Sequence, residues 1–446
     1  MDTSALLKKY NIAAPRYTSY PTVPYWETES FNVDKWKLSL IEAYNKYRNQ
    51  GVSLYIHLPF CESLCTYCGC NTRITKNHGV ERPYIEALLK EWRMYCDLLG
   101  ETPKIKELHL GGGTPTFFSP ENLYRLMNSI STALGNEASC SFEAHPDNTT
   151  FEHLAVLYRL GFKRMSLGIQ DFDPKVQMMI NRFQTPEQVF RIMTEAREIG
   201  YNSINFDLIY GLPGQTPGGL TQTLNEVLIM RPERIAFYGY AHVPWTKPGQ
   251  RHYAEKDIPQ GEEKFALYQQ GREILLNAGY QEIGMDHFAL KKDSLFKASE
   301  SYRLHRNFMG YTDKRTEVLI GLGVSAISDC KTAFAQNSKT VEEYLEKVNN
   351  GELPTFRGHI SSDRDLYVRE HILNLMCKGV TRFTSAIPGL IYKRLAAMLE
   401  DHLVEIDGLQ LQITKDGRAF LRNVCMAFDE RLWQKEPSTT LFSQSV

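Results

Sequence analysis

Leu54-Tyr55-Ile56-His57-Leu58-Pro59-Phe60-Cys61-Glu62-Ser63-Leu64-Cys65-Thr66-Tyr67-Cys68-Gly69-Cys70 joins two signals in one stretch. Its first half is a short apolar run between Gly51 and Pro59, the pattern of a buried strand. Its second half crowds four cysteines into ten residues, spaced Cys61-x3-Cys65-x2-Cys68-x-Cys70. The remaining five cysteines, at 96, 140, 330, 377 and 425, are scattered and read as small buried hydrophobes. In a reducing compartment a tight cysteine cluster binds metal or does chemistry rather than forming disulfides. Zinc sites more often use two Cys-x2-Cys pairs set far apart, and the chain has no second pair. Thiolates suit iron–sulfur clusters. Three cysteine ligands leave one iron open for a substrate, whereas Cys70 as a fourth ligand would close a structural knot.

Working outward, the sequence alternates. Strand-type runs at 53–57, 105–110, 139–144, 164–168, 203–209 and 234–240 are separated by helix-type patterns at 84–99, 120–134, 151–160, 186–199 and 219–230. Strands alternating with helices of this length form βαβ units and a parallel sheet. The fold class is therefore α/β, a partial (β/α)6-type TIM-like barrel. Segments 280–285 and 319–328 could extend the sheet. Past residue 340 the alternation stops. Helices at 363–376 and 391–403, a hairpin at 404–414 turning at Asp407-Gly408, and a final helix at 416–433 indicate a mostly helical, winged-helix-like C-terminal domain. The last ten or so residues are expected to fray. The expected organisation is an N-terminal arm over the active site (1–50), a catalytic barrel (51–335) and a helical accessory domain (340–446).

Each strand-type run ends in unusual residues. The cysteines follow the first and Gly111-Gly112-Gly113-Thr114-Pro115 the second. Glu143 ends the third, Gln170-Asp171 follows the fourth, Asp207 and Gly211-Leu212-Pro213 the fifth, and Tyr240-Ala241-His242 the sixth. In (β/α) barrels the active site sits at the C-terminal strand ends, where these groups would meet.

Composition narrows the class further. The 446 residues carry 51 Lys+Arg and 52 Asp+Glu, a net charge of −1, which gives no electrostatic reason to bind nucleic acid or an anionic membrane. No apolar run reaches the ~18 residues of a membrane span. No secretory apolar core follows the first residues, so a cytoplasmic location is expected.

The x3-then-x2 cysteine spacing resembles the radical S-adenosylmethionine (SAM) signature. Segments 54–61 and 68–71, together with 16–22, 111–116, 168–172, 207–213, 284–288, 304–311 and 323–328, resemble the oxygen-independent coproporphyrinogen III oxidases of that superfamily. The resemblance runs from about residue 10 to about residue 430. It implies oxidative decarboxylation of two propionates of coproporphyrinogen III to vinyl groups, giving protoporphyrinogen IX, with a [4Fe–4S] cluster and two SAM molecules. By matching position it implies Cys61, Cys65 and Cys68 as cluster ligands. Tyr55, Gly112, Glu143 and Ile327 would contact the SAM on the cluster. Tyr67, Gly69, Gly113, Thr114, Gln170, Arg182, Asp207 and Ala241 would surround the second SAM. For the tetracarboxylate substrate, Arg16, Tyr17, His287, His305 and Arg306 are the expected contacts. Partners implied are a flavodoxin- or ferredoxin-like electron donor and an electron acceptor, with the chain acting as a monomer. Each residue also has a plain structural reading: a tight turn for 111–113, local ion pairing for Glu143 and Asp207, a surface charge for Arg182, packing for Tyr55, His287 and His305.

Two positions depart from the family pattern: His145 stands where Asp is usual and Met309 where Gln is frequent. Rival readings are a HemW-like haem chaperone, whose cysteine run normally lacks the equivalent of Cys70, and a haem-degrading radical SAM enzyme. Cys70 and the 16–22 arm favour the oxidase.

Overall fold

The structure, a computed structural model, describes residues 3–435 and 441–445. Two helices precede the first strand: α1 (Thr3–Tyr10) and α2 (Val33–Tyr47). The strand β1 (Val52–Leu58) is buried along almost its whole length, which is why it reads as a continuous apolar run. Two tiny strands, β2 (Phe60–Cys61) and β3 (Arg73–Ile74), pair in parallel around the cysteine loop. The repeating part then runs α3 (Glu81–Leu99), β4 (Ile105–Gly112), α4 (Pro120–Ile130), β5 (Leu134–Ala144), α5 (Phe151–Arg159), β6 (Phe162–Gln170), α6 (Pro174–Ile180), α7 (Pro186–Ile199), β7 (Ser203–Tyr210), α8 (Pro217–Met230), β8 (Arg234–Gly239) and α9 (Gly261–Asn277). Strand order β1-β4-β5-β6-β7-β8 is parallel throughout. These are the six strands expected from the sequence.

The helices start where local chemistry dictates. Ser119, Thr150, Thr185 and Thr216 each cap a first turn through the side-chain oxygen, and Pro120, Pro186 and Pro217 take the first helical position, where no N–H is needed. Gly100 and Gly200 end their helices in the left-handed conformation.

The barrel stays open. Beyond β8 the sheet continues antiparallel through β9 (Gln281–Glu282) and β10 (His287–Ala289), followed by α10 (Ser294–Glu300) and a separate hairpin, β11 (His305–Asn307) with β12 (Gly310–Thr312). On the other side β1 pairs in parallel with β13 (Leu319–Leu322), and the edge is built out by β14 (Ile327–Asp329), β15 (Ala333–Asn337) and, after α11 (Val341–Asn349), β16 (Thr355–Ile360). The sheet thus has twelve strands. The C-terminal part comprises α12 (Asp363–Lys378), β17 (Val380–Arg382), α13 (Gly389–Glu400), the hairpin β18 (Val404–Asp407) and β19 (Gln410–Ile413), then α14 (Leu421–Met426) and α15 (Glu430–Gln434). Its strands form a small sheet ordered β17-β19-β18.

Five expectations need correction. A boundary at 335–340 falls inside the large sheet, which runs to Ile360 because β16 pairs with β15. Residues 1–50, expected as an N-terminal arm over the active site, include a packed helix: α2 buries Trp36 and Leu40 completely and packs on β15 and β16. The helix expected over 120–134 stops at Ile130, and Leu134 opens β5 opposite Ile105. The final helix of 416–433 is broken, because the Asp429 side chain caps a new start at Leu432 N. The described tail does not fray: Ser445 N donates to Ile12 O at 2.8 Å and Ala14 N to Ser443 O at 3.1 Å.

Candidate active site

A cavity of about 400 Å³ fills the inside of the open barrel. Inward positions alternate by two along each strand, as the pleat requires. They are Glu107 and His109 on β4, Ser141 and Glu143 on β5, Arg164, Ser166 and Gly168 on β6, Ser203, Asn205 and Asp207 on β7, and Arg234 and Tyr238 on β8. A barrel interior filled by Val, Ile and Leu would be solid; here polar side chains leave it hollow.

Deep in the cavity the charges are paired. Glu107 accepts from Thr312 Oγ1 at 2.6 Å and lies 3.8 Å from Arg164; Arg234 Nε donates to Asp293 at 2.8 Å. Higher up, Glu143 Oε2 accepts from Gly112 N at 3.1 Å, while His109 reaches Ser141 Oγ at 2.9 Å and Glu143 Oε1 at 3.5 Å. Asp207 accepts from Ser166 Oγ and from Asn205 Nδ2, each at 2.8 Å, and burial pushes its carboxyl up to about 6.

The cysteine loop lies across the mouth. Thr66 N donates to Ile180 O at 3.0 Å, and Asn181 Nδ2 to Leu64 O at 2.8 Å, so the segment ending α6 holds the loop from outside. Arg182 Nη1 reaches Cys65 Sγ at 3.6 Å, and its other terminal nitrogen donates to Gly168 O. Thr114 Oγ1 stands 3.3 Å from Cys61 Sγ. Burial raises the Cys61 thiol to about 11; the hydrogen bond from the Cys70 thiol draws Cys68 down to about 6. Cys70 itself is held well above its ordinary value by that same contact. Its backbone N donates to Cys68 Sγ at 3.4 Å. Among the described residues no trio of His, Cys, Asp or Glu is packed around a single-ion position; Cys61, Cys65 and Cys68 line the cavity wall together.

The glycine run explains why this wall stays open. A Cβ on Gly113 would stand 2.5 Å from Pro59 O and 2.9 Å from Cys61 Sγ. Gly112 has φ +125°, which an L side chain rarely adopts. The strand end thus passes directly against the cysteine loop and fixes Cys61 on the cavity wall, which the free thiols of Cys65 and Cys68 also line. These residues fit an iron–sulfur cluster with a ligand next to it.

Of the expected cluster, SAM and substrate residues, thirteen line the cavity: Cys61, Cys65, Tyr67, Cys68, Gly69, Gly112, Gly113, Thr114, Glu143, Gln170, Arg182, Asp207 and His287. Tyr55 stands just behind: it donates to His57 Nδ1 at 3.0 Å, and His57 Nε2 bonds Asn71 O at 2.8 Å, tying β1 to the end of the cysteine loop. Ile327 backs Gly321, the cross-strand partner of Tyr55. Ala241 is joined to Tyr67 by Gln250 Nε2, which donates to both carbonyls, at 3.2 and 3.0 Å. Arg306 lies against the cavity-lining Tyr311, with its guanidinium carbon 4.5 Å from the ring centroid.

Arg306 does not itself line the cavity, and three further expected substrate contacts are not brought to it. Tyr17 is 2% exposed, and its hydroxyl donates to Asp429 at 3.1 Å, far along the chain in the C-terminal part. Arg16 donates to Gly239 O at 2.8 Å and pairs with Asp286 at 3.4 Å, beside a separate small cavity. His305 sits on β11, where burial with Arg315 and Arg369 nearby pushes its imidazole down to about 4. Both family departures do line the cavity. Met309 is in the β11–β12 turn; His145 accepts from Asp147 N at 3.1 Å, and burial with Arg182 nearby drives it down to about 2, a neutral ring.

Residues not singled out in the sequence include His109, Arg164, Ser166, Asn205, Arg234 and Tyr238. The signal was present: each shares the period-two phase of a residue that was noticed, His109 with Gly111, Arg164 and Ser166 with Gln170, Asn205 with Asp207, and Arg234 and Tyr238 with Tyr240.

Comparison with known proteins agrees with this geometry. Residues 55–227 match the radical SAM superfamily. The oxygen-independent coproporphyrinogen III oxidase of Pseudomonas aeruginosa is 39% identical over 444 residues, covering 96% of this chain and 95% of the relative. That of Escherichia coli K12 is 37% identical, covering 97% and 96%. The solved structure of coproporphyrinogen III oxidase (HemN) from Escherichia coli, described as a radical SAM enzyme, superposes with a TM-score of 0.88 at 36% identity, covering 96% of this chain and 98% of that one. With this similarity over nearly its whole length, the chain belongs to the oxygen-independent coproporphyrinogen III oxidase family of the radical SAM superfamily.

Proposed function

We propose that this chain oxidises two propionates of coproporphyrinogen III to vinyl groups, giving protoporphyrinogen IX without oxygen. The observation that carries the reading is the cysteine loop seated on the glycine run, with the Glu143 carboxylate fixed beside it by Gly112 N. Cys61, Cys65 and Cys68 would hold a [4Fe–4S] cluster, which when bound supplies the electron that splits SAM and so the deoxyadenosyl radical that takes a hydrogen atom from a propionate. Each propionate then loses that hydrogen atom, one electron and CO2, and two SAM molecules serve the two propionates.

The chain's own residues position these reactants. Glu143 is oriented by Gly112 N and by His109, so its free lone pairs can receive an ammonium or a ribose hydroxyl. Tyr55 and His57 fix the end of the cysteine loop through Asn71 O. Gln250 couples Tyr67 to Ala241, the pair expected at the second SAM. Asp207 ionises near pH 6 and is an acceptor at neutral pH. Arg182, buried against the loop, places positive charge next to Cys65 and the expected second SAM.

An acceptor outside the chain must take the electron from each propionate, and a flavodoxin- or ferredoxin-like donor would reduce the cluster. Among the described residues no helix is long and apolar enough to cross a membrane; we place the enzyme in the cytoplasm, as a monomer. Its three functional parts would be the N-terminal segment, the barrel extended to Ile360, and the C-terminal unit from Asp363 onward. The test is anaerobic reconstitution with iron and sulfide, then SAM, reductant, electron acceptor and coproporphyrinogen III. Protoporphyrinogen is the expected product. SAM cleavage with stable haem binding and no decarboxylation would favour a haem chaperone instead.

A further inference from the structure

Arg306 is a buried cation without a counter-ion among the described residues. It is 6% exposed, its Nε is buried without a hydrogen-bond partner, and none of its nitrogens bonds to any described residue. Its one clear contact is the face of Tyr311, its cross-strand partner on the β11–β12 hairpin. Arg234 has Asp293 at 2.8 Å and Arg369 has Asp329 at 2.6 Å, while Arg182 and Arg422, also without a carboxylate among the described residues, donate to backbone carbonyls. Asp286 is paired with Arg16 at 3.4 Å. A stacked ring offsets part of the desolvation of a guanidinium, but not the loss of its hydrogen bonds. A second orphan adjoins the first. His287 lines the cavity, packs edge-on against the same Tyr311 at 5.2 Å, and has its Nδ1 buried without a partner.

Arg306 Nε and His287 Nδ1, both unsatisfied and both packed against Tyr311, a ring that lines the cavity, describe a place for an anion with two oxygens. Resting on the proposed reaction, we propose that Arg306 and His287 form the subsite for a substrate carboxylate, a propionate that is held rather than oxidised. Planar guanidinium and carboxylate match in bidentate geometry, which is why arginine suits the role better than lysine. The subsite lies at the β8–β10 end of the sheet, whereas the cluster cysteines follow β1. A carboxylate fixed here sets which part of a large tetracarboxylate faces the reacting end.

The test uses the reconstituted full chain. Wild type, Arg306→Gln and Arg306→Lys are titrated by fluorescence quenching with coproporphyrin III and with its uncharged tetraamide, while cluster content and SAM cleavage are followed in parallel. The expected result is a loss of about 10- to 100-fold in affinity for the acid in Arg306→Gln, the size of hydrogen bonds to a charged group. The tetraamide should bind all three proteins alike, Arg306→Lys should recover part of the loss, and cluster and SAM cleavage should not change. Equal weakening for acid and amide would assign Arg306 to packing and overturn the subsite. Unchanged affinity in a protein that still converts coproporphyrinogen would overturn it alone. A wild type that neither binds nor converts the substrate would overturn the proposed reaction and the subsite together.

Discussion

Replacing Gly113 by alanine tests how the barrel meets the cysteine loop. The added Cβ would lie 2.5 Å from Pro59 O, 2.6 Å from Pro59 C and 2.9 Å from Cys61 Sγ. Ordinary contact begins near 3.4 Å, so Pro59 O must retreat by 0.9 Å. It is not free to do so. Pro59 O accepts from Arg73 N at 2.8 Å, and the neighbouring carbonyls of Leu58 and Phe60 accept from Gly113 N and Thr114 N at 2.8 and 3.0 Å. These bonds stitch the loop to the glycine run, so the strain passes into the position of Cys61. Overpacking of this kind costs about 1–3 kcal/mol of stability, which the fold survives. The cluster site, with its first ligand displaced, should not. The assay is iron and sulfide content after anaerobic reconstitution, with SAM cleavage and the melting temperature of the apoprotein. We expect substoichiometric iron and at least a tenfold loss of SAM cleavage, against a shift of only a few degrees in melting. Gly218→Ala, in α8 away from the cavity and with a Cβ that would meet nothing within 4 Å, is the control and should keep both. A Gly113→Ala protein with wild-type iron content and SAM cleavage would refute the reasoning.

Four further outcomes follow from named contacts. Glu143→Gln should weaken SAM binding by about 10- to 100-fold in calorimetric titration, since a charged acceptor is lost, while the iron content stays unchanged. Cys70→Ser should still assemble a cluster, visible in its absorption, because the expected ligands are Cys61, Cys65 and Cys68 and the bond from the residue 70 backbone N to Cys68 Sγ is kept; a protein with no cluster would reverse that assignment. Tyr17→Phe should cost about 1 kcal/mol of stability for the lost bond to Asp429 and leave the KM for coproporphyrinogen unchanged. Burial raises Glu91 from 4.5 to about 7, so between these values the folded state holds more protons and stability falls as pH rises. In Glu91→Gln the drop in melting temperature from pH 5 to pH 7 should be smaller than in wild type, as read by scanning calorimetry.

Much of the fold was legible because its signals are local. The cysteine spacing, the strand–helix alternation and the caps at Ser119, Thr150, Thr185 and Thr216 act within a few residues, so they survive without knowledge of the rest of the chain. Errors arose where a distant partner overrides a local pattern. Asp429 interrupts the last helix while also accepting the Tyr17 hydroxyl across the molecule, and β16 enters the sheet by pairing with β15 past the expected boundary. Tyr17 sits in a family-like segment and looks like a substrate contact from sequence, yet its tertiary neighbours bury it.

The site divides in the same way. The residues at strand ends could be assembled from sequence, since one topological rule places every strand end on the same face. The inward-facing layers below them carry the same period-two signal, but it takes strand register to say which polar residue meets which. By itself, then, the sequence pointed to a partial α/β barrel with the cysteine loop at its C-terminal strand ends, where three cysteines are expected to hold the cluster. Only the tertiary structure decided that Arg234 has a carboxylate and Arg306 none, that Arg16 is committed to Asp286, and that Met309 and His145 face the cavity. The reason is physical: spacing along the chain is covalent and written into the order of residues, whereas the compensation of a buried charge depends on groups brought together from strands and loops far apart in that order.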